Sequence, residues 1–300
     1  MNFISVDDVS KEQINSIFEI ADDIKNGEAK LSIKENAVLT LLFQKPSTRT
    51  RVSFEAAMAK LDGRSIYLDM STSQMSRGET LADTARVLSG YSDFIAARLF
   101  KHDDIIELAN NSSVPVINAL TDMEHPTQAL SDLYTIREIK NKIKGIKIAF
   151  FGDIAQNTIN SLMLAGAKLG AEIALAGPKG YQPNPNYLVR AREYGPVEVY
   201  NDSVEAADEA DVIYTDTFVS MGKEAESEKR KGMFKPYQVN ASLVAKATRD
   251  VIVMHPLPAF RGEEITKDVI DGPKSVVWQQ SKNKMLMAES IILYLSEKNM

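Results

Sequence analysis

Apolar and polar residues alternate between two patterns along most of this 300-residue chain. The short continuous apolar run 37–43 and the mostly apolar segment 146–151 are rich in strand-forming residues and indicate buried β-strands. Between such runs lie longer segments, such as 7–26 and 157–169, whose apolar residues recur at helical spacing. Strands that alternate with helices are typical of a mostly parallel sheet covered by helices, so the sequence predicts an α/β fold.

The alternation stops once, at the basic segment 140–145, and then restarts. We therefore expect two doubly wound α/β domains in series, each with a mostly parallel sheet flanked by helices. The predicted boundaries are 1–141 for the first domain and 142–284 for the second. The C-terminal segment 285–300 is expected to form a helix that packs back on the first domain.

Weaker patterns give five further expectations. Residues 177–186 are rich in Pro and Gly and predict a loop, and 276–278 predict a last short strand. Residues 217–236 are dense in Lys and Glu and predict a long loop that could act as a mobile lid. Within that loop the charged run 223–231 is expected to face solvent, and 288–295 predict a final apolar-faced helix.

Composition narrows the possible functions. A net charge of −6 argues against nucleic acid or an anionic membrane as a partner, and no apolar run approaches the roughly 18–20 residues of a membrane span. Residues 1–13 are mixed and acidic, unlike a signal peptide, so the cytoplasm is the expected location. With no cysteine and three widely spaced histidines, neither a disulfide nor a metal site is expected.

The most informative stretch is 43–55, which follows the predicted strand 37–43. Pro46 breaks that strand, and Ser47 or Thr48 is suited to cap a helix. Apolar residues recur at helical spacing beyond them. The Ser-Thr-Arg-Thr-Arg sequence therefore lies on the opening turn of a helix that follows a strand.

Basic residues at this place are electrostatically unfavourable. The partial positive charge of a helix N-terminus disfavours each nearby base by roughly 0.3–1 kcal/mol, yet Arg49 and Arg51 follow Lys45 with no acid before Glu55. A bound anion would turn the repulsion into a binding site, because backbone N–H groups, hydroxyls and a guanidinium would converge on it. The alternative is that both arginines reach solvent or pair with carboxylates elsewhere.

Other polar residues gather at the carboxyl ends of the predicted strands, where ligands bind in open α/β sheets. Bases predominate in the first half and acids, amides and hydroxyls in the second, which suits one anionic and one amine-bearing substrate. Each residue alone could be structural, as a helix cap or strand-end cap, and a dinucleotide fold is not supported because the GxGxxG pattern is absent. The residues are Arg98, His125 and Gln128 in the first half, and Asp153, Asn157, Asp216, Ser220 and His255 in the second.

Together these residues resemble the carbamoyltransferases, and among them the ornithine carbamoyltransferases, over essentially the whole chain. The stretch 43–55 is similar to the carbamoyl-phosphate motif of that superfamily, and Arg98 with 125–128 is similar to its other carbamoyl contacts. Residues 216–222 resemble the ornithine-binding loop, and Asn157 falls where that family holds the amino-acid carboxylate.

The resemblance implies carbamoyl transfer from carbamoyl phosphate to L-ornithine, with Arg49, Arg98 and His125 acting in catalysis. It implies no cofactor and no metal, and a homotrimer, or a multiple of trimers, in which Gln74 reaches a neighbour's site. The implied ornithine contacts are Asn157, Asp216, Ser220 and Met221. The implied carbamoyl-phosphate contacts are Ser47, Thr48, Arg49, Thr50, Gln74, Arg98, His125, Gln128, Pro256, Leu257 and Lys284.

Three departures from the ornithine-type pattern keep the acceptor open. His-Pro-Leu-Pro at 255–258 replaces His-Cys-Leu-Pro and is the aspartate-type spelling, while Thr127 replaces a cysteine and Lys284 an arginine. Against an aspartate acceptor, neither 153–158 nor 215–222 contains the arginines that would hold a second carboxylate. The alternatives are aspartate, another amine such as putrescine or an acylated ornithine, and a phosphate- or amino-acid-binding protein without turnover.

Overall fold

The computed structural model describes residues 1–29, 32–219 and 227–298. The chain divides into two compact units, one formed by Met1–Ser131 with the chain from Lys282 onward, the other by Asp132–Ser281. Each unit contains one parallel sheet with helices on it, and the predicted α/β fold class is confirmed.

The first unit contains a four-stranded sheet. Its strands are β1 (Val38–Phe43), β2 (Arg64–Asp69), β3 (Phe94–Arg98) and β4 (Val116–Leu120), in the spatial order β2-β1-β3-β4. Its helices are α1 (Lys11–Asn26), α2 (Thr48–Lys60), α3 (Leu81–Ser89), α4 (His102–Asn111) and the first residues of α5 (Pro126–Lys140). Two 3₁₀ turns, Met70–Thr72 and Gln74–Arg77, follow β2.

The second unit contains a five-stranded sheet. Its strands are β5 (Lys147–Phe151), β6 (Glu172–Ala176), β7 (Val197–Tyr200), β8 (Val212–Thr215) and β9 (Ile252–Met254), in the order β7-β6-β5-β8-β9. Its helices are the remainder of α5, α6 (Asn157–Lys168), α7 (Pro185–Tyr194), α8 (Ser203–Ala207), α9 (Ser227–Phe234), α10 (Ala241–Val244), α11 (Lys267–Ile270) and the start of α12 (Val277–Glu297).

The apolar runs became strands because both faces of each sheet are covered. The central strands β1, β3 and β5 are buried along nearly their whole length, which explains their continuous rather than alternating apolar pattern. The edge strand β2 differs, since Arg64 and Ile66 on it are exposed. Helix ends carry matching signals: Ser10 and Gln13 form a capping box at α1, and Gly27 ends that helix at φ 73°.

Each sheet has one point at which the strand order reverses. In the first sheet the chain passes from β1 to β2 on one side and then crosses to β3 and β4 on the other. In the second it passes from β5 to β6 and β7, then crosses to β8 and β9. The carboxyl ends of β1 and β3, and of β5 and β8, are therefore the topological switch points, where open α/β sheets bind ligands.

Several local predictions were wrong. Helix α7 begins at Pro185, inside the segment predicted as a loop, and a proline in the first turn of a helix loses no hydrogen bond. Helix α9 occupies part of the predicted lid loop, and residues 220–226 of that loop lie outside the described part of the chain. Of the strand predicted at 276–278, residues 277 and 278 are instead the start of α12, a helix far longer than 288–295.

No helix among the described residues combines the length and apolarity needed to cross a membrane. The same ranges contain no cluster of three or more His, Asp or Glu side chains suited to a metal ion.

Candidate active site

The switch point of the first sheet brings two arginines together. Phe43 at the end of β1 is in register with Arg98 at the end of β3, and the Gln44 N–H donates to the Arg98 carbonyl at 2.9 Å. Helix α2, which carries Arg49 in its first turn, starts directly beyond β1. The sheet order thus places the N-terminus of α2 beside Arg98.

Local hydrogen bonding shapes the start of α2. Ser47 is the N-cap, and its Oγ accepts from the Thr50 N–H at 3.4 Å. Arg51 is used within the fold, because its Nε donates to Glu55 Oε1 at 2.9 Å and its guanidinium lies 3.7 Å from the centroid of the Tyr67 ring. The suggestion that an arginine pairs with a carboxylate thus holds for Arg51, and Arg49 is the arginine that we retain for the anion.

Arg98 occupies an irregular position at the end of its strand. The pairing of β3 with β4 shifts register between Ala97 and Arg98, and such bulges commonly re-aim a side chain near a site. Burial, together with the nearby Arg49 guanidinium, lowers the pKa of Arg98 to about 10. Its Nε is buried and has no hydrogen-bond partner among the described residues. Two neighbouring cations with an unused donor favour a bound anion.

His125 adds a neutral donor to this group. It is 4% exposed, and burial, followed by the charges of Lys284 and Arg98, holds the pKa of its imidazole well below the ordinary value. Its Nδ1 is 3.3 Å from Thr127 Oγ1. A neutral imidazole carries one N–H, so His125 can donate one hydrogen bond to an oxygen without adding charge.

Together with Arg49 and Arg98, Lys284 on α12 forms the cationic cluster of the first unit. Its Nζ donates to Gln128 Oε1 at 2.5 Å, and both side chains are buried. Gln128 lies in the first turn of α5, three residues after His125. The carboxamide of Gln128 is therefore held with its oxygen on Lys284, which leaves its NH₂ group directed elsewhere.

The switch point of the second sheet carries acids and an amide. Asp216 follows β8 and Asp153 follows β5, and Asn157 is the first residue of α6. Burial raises the pKa of Asp216, against the opposing effects of His255 and the Thr217 backbone N–H, and the Glu264 and Asp153 charges make smaller contributions to the increase. An ammonium group would relieve this excess of negative charge.

A buried histidine shapes the turn that follows β9. The Leu257 N–H donates to His255 Nδ1 at 2.9 Å, so the proton is on Nε2, which donates to Glu264 Oε1 at 3.0 Å. The His255 N–H donates to Gln280 Oε1 at 2.9 Å. Leu257 has a φ of 59°, a conformation that costs a non-glycine residue on the order of 1 kcal/mol or more and is often found at functional sites.

The remaining predicted contacts are distributed over the chain. Ser47, Thr48 and Thr50 lie with Arg49 at the start of α2, whereas Gln74 is exposed on a 3₁₀ turn beyond β2. Pro256 and Leu257 belong to the second unit. Ser220 and Met221 lie outside the described residues.

Comparisons with known proteins identify the family. Residues 1–138 match the family model described as the carbamoyl-P binding domain of aspartate/ornithine carbamoyltransferase, and residues 144–295 match that of its Asp/Orn binding domain. The chain belongs to the aspartate/ornithine carbamoyltransferase family. The resemblance stated from its motifs is confirmed.

Individual members of the aspartate/ornithine carbamoyltransferase family are similar over nearly their whole length. The chain is 47% identical to the ornithine carbamoyltransferase of Pyrococcus abyssi, over 98% of this chain and 95% of that protein. It is 45% identical to that of Bacillus subtilis, over 99% and 95%. The solved ornithine carbamoyltransferase of Pyrococcus furiosus has a TM-score of 0.92 at 47% identity, covering 97% of this chain and 95% of that one.

Sequence reasoning about this carbamoyltransferase assigned no site role to three residues at its switch points. Lys45 lies 4.6 Å from the centroid of the Phe100 ring, and burial and then Arg98 lower its pKa, which places its charge near the cationic cluster. Glu264 is buried and accepts a hydrogen bond from His255. Arg230, expected to face solvent within the charged run, is 1% exposed and pairs with Asp153. Only the helical register of α9 could have separated Arg230 from its solvent-facing neighbours.

Proposed function

We propose that the protein transfers the carbamoyl group of carbamoyl phosphate to the side-chain amine of L-ornithine, giving L-citrulline and phosphate. The observation that carries this is the division of charge between the two switch points: cations and a neutral histidine in the first unit, acids and an amide in the second. Relatives named ornithine carbamoyltransferase support it.

We assign carbamoyl-phosphate binding to residues 1–141, onto which 285–300 fold back, and amino-acid binding to 142–284. In this assignment the start of α2 holds the phosphate through the Ser47, Thr48 and Thr50 hydroxyls, backbone N–H groups and the Arg49 guanidinium. These donors would also stabilise the additional charge as phosphate leaves.

The carbonyl oxygen of carbamoyl phosphate would accept from Arg98, His125 and Thr50. Attack by the amine makes this oxygen negative, and fixed donors aimed at it act as an oxyanion hole. Gln128, held by Lys284, and the Leu257 carbonyl would orient the carbamoyl NH₂, with Pro256 shaping the Leu257 turn. The tetrahedral intermediate then collapses with cleavage of the bond to phosphate.

Asp216 would bind the α-ammonium group of ornithine, and Asn157 and the Met221 backbone its carboxylate, with Ser220 beside them. Asp216 supports this role because burial raises its pKa and it lies among other acids, so a cation is favoured there. A relative from Pyrococcus furiosus is named an anabolic ornithine carbamoyltransferase, and we propose the biosynthetic direction here.

Activity should rise with pH. Ornithine attacks as the free amine, whose pKa is near 10.4, so the reactive fraction increases about tenfold per unit at neutral pH. His125 adds no opposing titration, because its depressed pKa keeps it neutral. We expect kcat/KM for ornithine to rise about tenfold per pH unit from pH 6 to 8, measured as citrulline formed after subtracting a blank without enzyme. A flat profile would contradict attack by the free amine.

The first test of the function is citrulline formation itself. Purified protein is incubated with carbamoyl phosphate and L-ornithine, and citrulline and phosphate are measured together. The account predicts the two products in a 1:1 ratio. Phosphate without citrulline, or neither product, would contradict it.

A homotrimer, or a multiple of trimers, is part of the proposal, with Gln74 reaching a neighbour's site. Exposed apolar side chains support self-association: Ile66 on the edge strand β2 is 50% exposed and Val52 on α2 is 53% exposed. We expect Ile66→Arg to weaken the oligomer and reduce activity at least tenfold, measured by light scattering and turnover. Val189→Arg, on α7 of the second unit and 63% exposed, is the matched control and should change neither. A fully active wild-type monomer would refute the trimer.

A cytoplasmic location stays a prediction.

Aspartate is the second candidate acceptor, and one observation favours it. Pro256 stands where ornithine-type motifs have cysteine, as in aspartate-type enzymes. The comparisons do not favour this alternative, since the relatives of 45–47% identity are named for ornithine. No arginine in 153–158 or 215–222 is available for a second substrate carboxylate.

A further inference from the structure

A fully buried ion pair joins α9 to the loop after β5, at the switch point of the second sheet. Arg230 on α9 and Asp153 after β5 are 1% and 0% exposed, and Arg230 Nη2 donates to Asp153 Oδ2. We propose that this pair positions the acceptor-binding loops and thereby sets the affinity for the amine substrate. This inference rests on the function proposed above.

Arg230 fixes the backbone that follows Asp216. Its Nε donates to the Phe218 carbonyl at 2.8 Å, two residues beyond Asp216. Its guanidinium lies 4.8 Å from the ring centroid of Tyr181 and 4.9 Å from that of Phe234, which itself stacks on the Phe218 ring at 5.4 Å. One side chain therefore holds the loop after β8 by a charged hydrogen bond and by ring contacts.

Asp153 fixes the turn that leads to Asn157. Its Oδ1 accepts from the Ala155 N–H at 3.1 Å while its Oδ2 binds Arg230. A second link runs parallel, because Gln156 Nε2 donates to the Thr217 carbonyl at 3.2 Å. The loops after β5 and β8, which carry the proposed carboxylate and ammonium contacts, are thus tied to each other at two points.

The pair is poorly explained as a device for stability. Desolvation of two charges offsets most of their attraction, and replacement of a buried ion pair by apolar residues of similar volume is often neutral or stabilising. An apolar pair, however, could not donate to the Phe218 carbonyl or accept from Ala155. The ion pair therefore adds a fixed arrangement of the loops after β5 and β8, and these loops carry predicted ornithine contacts.

The decisive variant replaces both charges, Asp153→Leu together with Arg230→Met. We expect it to fold with a Tm near that of the wild-type protein, while its KM for L-ornithine rises at least tenfold and its KM for carbamoyl phosphate changes less than twofold. Arg230→Lys keeps the charge but loses the fork of donors. It should raise the ornithine KM in the same way, and it tests the proposal if the double variant fails to fold.

Arg261→Lys is the matched control, since Arg261 forms an exposed pair with Asp271 in the same unit, 2.7 Å between Nη2 and Oδ1. It should change neither KM more than twofold. A folded double variant, or Arg230→Lys, with the wild-type ornithine KM would overturn the positioning role alone. A loss of activity with both KM values unchanged would also overturn it, because a purely structural role predicts that result. Absence of citrulline formation by the wild-type protein would overturn the proposed function and this inference with it.

Discussion

Replacing Arg98 with methionine should reduce kcat/KM at least 10³-fold without destabilising the protein. The variant loses the guanidinium proposed for the carbonyl oxygen, and a 10³-fold loss corresponds to about 4 kcal/mol of transition-state stabilisation. It also removes a partly buried cation next to Arg49, whose charge contributes to lowering the pKa of Arg98 to about 10. We therefore expect the Tm of the ligand-free variant to equal or exceed that of the wild-type protein.

Ligand-dependent melting separates this effect from misfolding. Carbamoyl phosphate at a hundredfold excess over its Kd should stabilise the wild-type protein by about 2.7 kcal/mol and the variant far less. Arg86→Met is the matched control, because Arg86 is exposed on α3 and pairs with Asp83. It should retain wild-type activity and ligand stabilisation. Full stabilisation of the Arg98 variant by carbamoyl phosphate would remove Arg98 from the site.

Replacing Asp216 with asparagine should separate the two substrates. We expect kcat/KM for ornithine to fall about 10²–10⁴-fold, since losing the charged partner of a buried ammonium group costs about 3–5 kcal/mol. Stabilisation by carbamoyl phosphate should be unchanged. At neutral pH the free variant should be slightly more stable, because burial raises the pKa of Asp216 and its charged form therefore opposes folding above that pKa.

Asp268→Asn, an exposed acid on α11 of the same unit, is the control and should behave as the wild-type protein. Steady-state kinetics with ornithine as the varied substrate measures kcat/KM, and melting curves in carbamoyl phosphate measure the stabilisation by that ligand. An Asp216→Asn variant with wild-type ornithine kinetics would show that the ammonium group binds elsewhere. A variant that also lost carbamoyl-phosphate stabilisation would show that Asp216 does not act on the acceptor alone.

The sequence predicted the central strands well because both of their faces are buried. Apolar runs such as 37–43 have few alternative structures in a chain in which strands and helices alternate. Predictions from the sequence failed where tertiary context overrides the local preference for a strand or a loop. The β-branched start of α12 at Val277 resembles a strand, and Pro185 was interpreted as part of a loop although it begins α7.

The candidate site was predicted in composition but not in arrangement. The sequence indicates several strand ends with polar residues, but the local sequence pattern does not determine which strands are neighbours in the sheet. The strand order selects β1 with β3 and β5 with β8, and so brings Arg98 beside α2 and Asp216 beside Asp153. Burial of Arg230 was not predicted either, because a charged run in a segment predicted as a loop favours solvent-facing side chains.

The central claim, ornithine as acceptor, is tested most directly by competition in a single reaction. Carbamoyl phosphate is offered with equal concentrations of L-ornithine, L-aspartate, putrescine and N-acetylornithine, and the carbamoylated products are separated and counted. The account predicts citrulline in large excess over every other product, with Pro256 tolerated. Carbamoyl-aspartate as the main product would contradict the account and would show that Pro256, rather than the loop after Asp216, indicates the acceptor.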